Sequence, residues 1–145
     1  MSTLLDDIRN EIVDAHDFFV QWFTGTIARD QLEPCLLARF DRDVTFISPE
    51  GQVYRYDALK EMFENGYGSN TDFRIEIRDV FVRHGSGDMV LATYTEWQAG
   101  AFASNLPNNA RVTSAVLQPG PPFKWLHIHE TWLPDKIREA GPFDF

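Results

Sequence analysis

The chain has 145 residues, of which 43% are hydrophobic, with twelve Phe and four Trp among them, enough apolar material to build one sizeable core and to exclude global disorder. Its 13 Lys and Arg stand against 22 Asp and Glu, and the resulting formal net charge of -9 repels phosphate backbones and anionic lipid, so neither nucleic acid nor a membrane surface is an expected partner. The single cysteine, Cys35, closes no intrachain disulfide and reads as a small buried apolar residue rather than a nucleophile.

The first residues, Met1-Ser2-Thr3-Leu4-Leu5-Asp6-Asp7, carry neither a basic region nor a long apolar run, and no stretch approaches the roughly 18 apolar residues of a membrane span. A cytoplasmic location is expected. Leu5, Ile8, Ile12, Ala15, Phe19, Trp22 and Phe23 then recur at steps of three and four, the stripe of a long amphipathic helix with Thr3 as its N-cap, Asp6 three residues on, and Gly25 at its end. A short second helix is expected after Asp30, with Pro34 in its first turn.

Val44 to Ser48 is rich in β-formers and stops at Pro49-Glu50-Gly51, which predicts a short strand and a turn. Asp57 is expected to cap a third helix over Ala58 to Asn65, with Leu59, Met62 and Phe63 on its apolar side and Gly66 at its end. From Phe73 the period changes to two. Strands are predicted from Phe73 to Arg83, Met89 to Gln98, Arg111 to Gln118 and Phe123 to Leu133, joined by turns at His84-Gly85-Ser86-Gly87-Asp88 and Pro119-Gly120-Pro121-Pro122 and by a small-residue loop from Ala99 to Asn109. Sequential strands on short connections form an antiparallel meander. The expected fold class is therefore α+β, with N-terminal helices packed on an antiparallel sheet, in one domain over 1–145 whose core spans about 5–134 and whose tail spans 135–145.

This order of elements, and above all the closing segment Lys124-Trp125-Leu126-His127-Ile128-His129-Glu130-Thr131-Trp132, resembles the nuclear transport factor 2-like superfamily, many members of which end in Trp-x-x-x-His-x-His followed by Ser or Thr. The likeness also covers Asp43 to Gly51 and Arg111-Val112-Thr113. It is greatest to small bacterial proteins related to polyketide cyclases and to the association domain of calcium/calmodulin-dependent protein kinase II. The resemblance implies a cone, in which a strongly curved sheet wraps the first helix and leaves a pocket open at one end. That superfold hosts isomerases, dehydratases, cyclases, transport adaptors and oligomerisation modules, so it does not select a function.

On the last strand His127 and His129 stand at i and i+2, which puts both imidazoles on one face with Trp125 and Thr131. The resemblance suggests that this face lines the cavity, making His129 the candidate proton shuttle, with His127 and Trp125 beside it; a core or interface role for both histidines is the alternative. His-x-His is also metal-ligand spacing, but no third ligand completes a set, so no metal and no cofactor is expected. Further ligand-binding candidates are Tyr94, Glu96, Trp97 and Arg111 on the middle strands, His16, Phe19 and Trp22 on the first helix, and Tyr54 with Tyr56, where the resemblance suggests the cavity mouth. Leu126, Ile128 and Trp132 make the other face of the last strand apolar, interrupted by Glu130; either that face meets another subunit, giving a homodimer or larger even oligomer, or a bulge sends these residues into one core. Two functions remain open. One is a binder of a small apolar or aromatic ligand, or a cofactor-independent enzyme of isomerase, dehydratase or cyclase type; the other is a self-association module without catalysis. The chain shows no second catalytic domain to assemble, which favours the first.

Overall fold

A computed structural model describes residues 3–145. Helix α1 runs over Leu4–Thr24. Its start follows the expected chemistry: the Thr3 hydroxyl accepts from the Asp6 N–H at 3.1 Å, and the Asp6 carboxylate accepts from the Thr3 N–H, so two orphan donors of the first turn are satisfied reciprocally. Gly25, at φ 74°, ends the helix in the left-handed region that glycine adopts without strain. Ile8, Ile12, Ala15, His16, Phe18 and Trp22 are buried, whereas Leu5, expected in the stripe, is exposed, and Phe18, outside that stripe, lies in the core.

A 3-10 turn over Arg29–Gln31, a one-turn helix α2 (Leu32–Cys35) and a second 3-10 turn over Leu37–Arg39 lead into β1 (Phe40–Ile47), which starts earlier than its Val-Thr-Phe-Ile core predicts. A short strand β2 (Val53–Arg55), not anticipated from sequence, runs straight into α3 (Tyr56–Gly66). Asp57 therefore does not cap the helix. Arg55 holds the cap position without a side-chain bond, and Asp57 sits in the first turn, where a carboxylate favours the helix dipole. The long strands are β3 (Arg74–Gly85), β4 (Val90–Ala99), β5 (Asn109–Gln118) and β6 (Lys124–Trp132), and the tail carries a further helix, α4 (Asp135–Ala140), also unforeseen.

The six strands form one open sheet in the order β2-β1-β6-β5-β4-β3. β3 to β6 are the predicted antiparallel meander, but β1 adds to β6 in parallel, so the sheet is mixed rather than wholly antiparallel. α1 lies on its concave face, and the core of Ile8, Ile12, Trp22, Leu36, Val44, Phe63, Val90, Tyr94, Leu117 and Trp125 fills the space between them. The architecture is thus α+β. Among the described residues no helix is long and apolar enough to cross a membrane.

One irregularity decides which side chains face inward. Leu117 pairs with Trp125, but its neighbour Val116 pairs with His127, so Leu126 is an extra residue on β6 without a partner on β5. Trp125 is inward before this bulge; after it the alternation is inverted, and Ile128 and Glu130 point inward while His127 and His129 point outward.

The capping box generates a direct test. Thr3→Ala removes the bond to the Asp6 N–H and is expected to cost about 1 kcal/mol, or about 2–4 °C in melting temperature, by calorimetry. An unchanged melting temperature would contradict the cap's role.

Candidate functional site

Between α1, α3 and the concave sheet face lies a cavity of about 140 Å³. Its walls are aromatic, with Phe19 and Phe23 from α1, Phe40 and Phe46 from β1, Phe63 from α3 and Trp125 from β6. Phe63 is central to them, since its ring lies 5.3 Å from that of Phe19 and 5.4 Å from that of Phe23.

The base is polar and continuous. His16 stands mid-helix, and its Nδ1 lies 2.7 Å from the Ile12 carbonyl while its Nε2 lies 2.9 Å from Glu96 Oε1. Both neighbours are oxygen acceptors, so the ring satisfies both contacts as an imidazolium. Gln98 donates to Glu96 Oε2 at 2.6 Å, and Asn109 donates to Gln98 at 3.4 Å. Arg111 donates through Nη2 to Asn109 Oδ1 at 2.8 Å and through Nη1 to Glu130 Oε1 at 3.0 Å. His16, Glu96, Gln98, Asn109, Arg111 and Glu130, from one helix and three adjacent strands, therefore form one buried network.

Burial and charge act differently on its two carboxylates. Burial works to raise Glu96, but the His16 charge and hydrogen bond, with Arg111 and Gln98, outweigh it and hold Glu96 down at about 2. Burial and the neighbouring Glu96 charge push Glu130 up to about 7, against the pull of Arg111. Burial lowers His16, yet Glu96 more than compensates and the imidazolium is favoured. Burial, then the charges of Glu96 and Glu130, raise Tyr94 well above its ordinary value and keep its hydroxyl neutral.

The structure brings together His16, Phe19, Tyr94, Glu96, Arg111 and Trp125 from the sequence candidates, all on the cavity wall. It separates the others. His129 is exposed and His127 half-buried on the outward sheet face, where His129 lies opposite Ser114 and Ile47; the bulge at Leu126 turned them out. The same bulge places Ile128 in the cavity wall, so it does not share an outward apolar face with Leu126 and Trp132 as expected. Trp97 faces outward beneath Phe143, with ring centroids 5.5 Å apart. Trp22 is a core residue, fully buried with its indole N–H donated to the Phe63 carbonyl at 2.7 Å. Tyr54, on the edge strand β2, packs on Phe46 and does not line the cavity; Tyr56 is buried under Arg42.

Glu130, Gln98 and Asn109 were not among the sequence candidates for the site. The legible signal for Glu130 was a lone carboxylate interrupting Leu126, Ile128 and Trp132, an unusual residue for an apolar face. Among the described residues no group of three or more His, Cys, Asp or Glu side chains is arranged to hold a metal ion.

No family model matches the sequence, and a search of curated proteins finds no match. Solved structures do match. An uncharacterised nuclear transport factor 2-like protein from Pseudomonas aeruginosa aligns with a TM-score of 0.78 at 29% identity, over 88% of this chain and 98% of that one. This chain has the nuclear transport factor 2-like, cystatin-like fold. The same fold is found at 15% identity and TM-score 0.61 in a protein provisionally assigned as a calcium/calmodulin-dependent protein kinase type II association domain from Thiobacillus denitrificans, over 87% of this chain and 94% of that one. It recurs at 13% identity and TM-score 0.62 in one provisionally assigned as an aromatic ring hydroxylase from Novosphingobium aromaticivorans, over 88% and 87%. Within this nuclear transport factor 2-like cone the polar network occupies the base and the phenylalanines the walls.

The network makes stability depend on pH in both directions. Glu130 and His16 are raised in the folded state, so their stabilising contribution is complete below their unfolded values of about 4.5 and 6.5 and is lost as pH rises, for Glu130 through about 7. Glu96 is depressed, so its contribution is complete above about 4.5 and is lost as pH falls toward about 2. Denaturant unfolding should give a larger free energy at about pH 5.5 than at about pH 3 or pH 8.5, and Glu130→Gln should reduce the alkaline loss. A curve still rising above pH 7 would contradict this account.

Proposed function

We propose that this chain is a small-molecule protein whose cavity carries out proton transfer without a cofactor, as an isomerase, dehydratase or cyclase does. The observation that supports this reading is the union, in one cavity, of aromatic walls with a base where a buried carboxylate, Glu130, ionises near neutral pH. Its Oε1 is held by Arg111, and its Oε2 takes no hydrogen bond from the described residues. A carboxylate balanced near pH 7 accepts a proton from a ligand C–H or O–H and returns it as the carboxylic acid. Arg111 steadies the ionised form before transfer.

His16 has both ring nitrogens committed, so it is a positioning residue that keeps Glu96 charged and ties α1 to the base. The role of polar handle expected of His129 passes to Glu130. Carboxyl carbon NMR of selectively labelled protein should give a glutamate titrating near pH 7 that disappears in Glu130→Gln. In parallel, small cyclic compounds should raise the melting temperature of the wild type and not of Ala15→Leu, which fills the cavity from α1. A Glu130 titration in the ordinary carboxylate range would remove the base, and hits insensitive to Ala15→Leu would lie elsewhere.

A second reading, self-association of two copies without catalysis, is supported by the outward sheet face, where exposed Phe81 and Leu91 adjoin half-buried Val116, His127 and Ile47. Light scattering at micromolar concentration should give twice the mass of one chain for the wild type and the mass of one chain for Val116→Glu. A monomeric wild type would end this reading without touching the first.

A further inference from the structure

The polar base can be sorted by what its hydrogen-bonding groups have already used. Both nitrogens of His16, both oxygens of Glu96, the amides of Gln98 and Asn109, and both terminal nitrogens of Arg111 are bonded within the protein. Every full charge is matched, His16 with Glu96 and Arg111 with Glu130. What remains is a short polar row. Tyr94 on β4 lies directly opposite Thr113 on β5, and Thr113 lies directly opposite Glu130 on β6, so the three stand in line across the sheet, with Tyr94 and Glu130 on the cavity wall.

The Thr113 hydroxyl is fully buried, does not line the cavity and has the Tyr94 hydroxyl as its hydrogen-bonding neighbour, while Tyr94 and Glu130 both reach the cavity wall and Glu130 keeps one oxygen that takes no hydrogen bond from the described residues. Beside the row, Arg111 Nε–H is buried and likewise unpaired. A buried polar group without a partner costs free energy, so the free Glu130 oxygen and Arg111 Nε–H, with the Tyr94 hydroxyl beside them, define the polar atom a ligand must bring.

The cavity also sets size. Its volume of about 140 Å³ is close to that of an engineered apolar cavity known to hold a benzene ring, so it admits one ring with a small substituent. Charge decides the rest. A carboxylate ligand would be buried beside Glu96 and Glu130, and an ammonium ligand beside His16 and Arg111, each without a free counter-charge.

We propose that the cavity takes an uncharged, single-ring compound bearing one hydroxyl or carbonyl oxygen, and that this oxygen meets Tyr94, Arg111 and Glu130 at the polar base. The proposal rests on the reading that the cavity binds a small molecule, and it adds the ligand's class. A hydroxyl can accept from Tyr94 or Arg111 Nε–H while donating to Glu130; a carbonyl uses the donors alone. Apolar analogues of the same shape leave the Glu130 oxygen and Arg111 Nε–H unpaired.

Four near-isosteric probes separate the possibilities: benzyl alcohol, toluene, benzoate and benzylamine at about pH 8, where Glu130 is ionised and matches Arg111, each titrated by calorimetry with saturation-transfer NMR for the weak ones. Benzyl alcohol is expected to bind at least tenfold more tightly than the other three. Tyr94→Phe and, as a second variant, Glu130→Gln should each reduce benzyl alcohol affinity several-fold and leave toluene unaffected, with circular dichroism showing that the variants fold. Toluene binding as tightly as benzyl alcohol overturns the proposal while leaving the cavity a binding site. Tightest binding of benzoate or benzylamine overturns it in favour of a charged ligand. Binding of none of the four overturns it together with the small-molecule reading.

Discussion

Four ionisable side chains buried at the end of an aromatic cavity impose one constraint on everything around them: each charge needs its opposite, and each N–H an acceptor, within hydrogen-bond reach. His16 comes from α1, Glu96 from β4, Arg111 from β5 and Glu130 from β6, so meeting that constraint fixes the rotation of the helix and the registers of three strands at once. Removing one partner leaves another charge buried alone, at a cost of about 3–5 kcal/mol. A core built only of phenylalanine and leucine would tolerate a helix turned by part of a residue. This one does not, because the His16 ring reaches Glu96 only while its other nitrogen stays on the Ile12 carbonyl.

The same network resists collapse of the cavity. Aromatic walls alone would close on one another to recover dispersion contacts. Here Trp125, a wall residue, donates its indole N–H to Glu11 at 2.7 Å, and Arg39 donates to the same carboxylate oxygen at 2.6 Å. Glu11 thus anchors α1, β6 and the turn before β1 on the side of the cavity facing the groove between α1 and the β5–β6 turn. A wall held from outside and a base held from within leave the space between them open.

The helical half of the fold was legible because its signals are local. The stripe from Ile8 to Trp22, the Thr3-Asp6 cap and the Gly25 stop each act within a few residues. The meander from β3 to β6 was legible from period two and turn residues. β1's parallel docking on β6 was not, since pairing between strands far apart in sequence depends on the sheet as a whole. The candidate site was half legible for one reason: strict alternation along β6 assigns His127 and His129 to the side of Trp125, and a single unpaired residue at Leu126 reverses it. Nothing local marks that residue. The middle strands had no bulge between them, and their alternation placed Tyr94, Glu96 and Arg111 correctly while Trp97, one step out of phase, faces away.

The outward position of Trp97 is stabilised by the end of the chain. Arg78 on β3 donates to the Gly141 and Pro142 carbonyls at 3.3 and 2.6 Å, and its guanidinium lies 4.3 Å from the centre of the Trp97 ring. Phe143 then closes over Trp97, so a large aromatic that would otherwise be solvated on an open sheet is 5% exposed. Burial of this kind contributes on the order of 1.5–3 kcal/mol per side chain, enough to hold a short tail against its conformational entropy only because the backbone bonds to Arg78 add to it. The tail thereby divides the outward face. The part of the outward face around Arg78 and Trp97 carries its own cover, while Phe81, Leu91, Val116, His127, His129 and Ile47 have none from the tail.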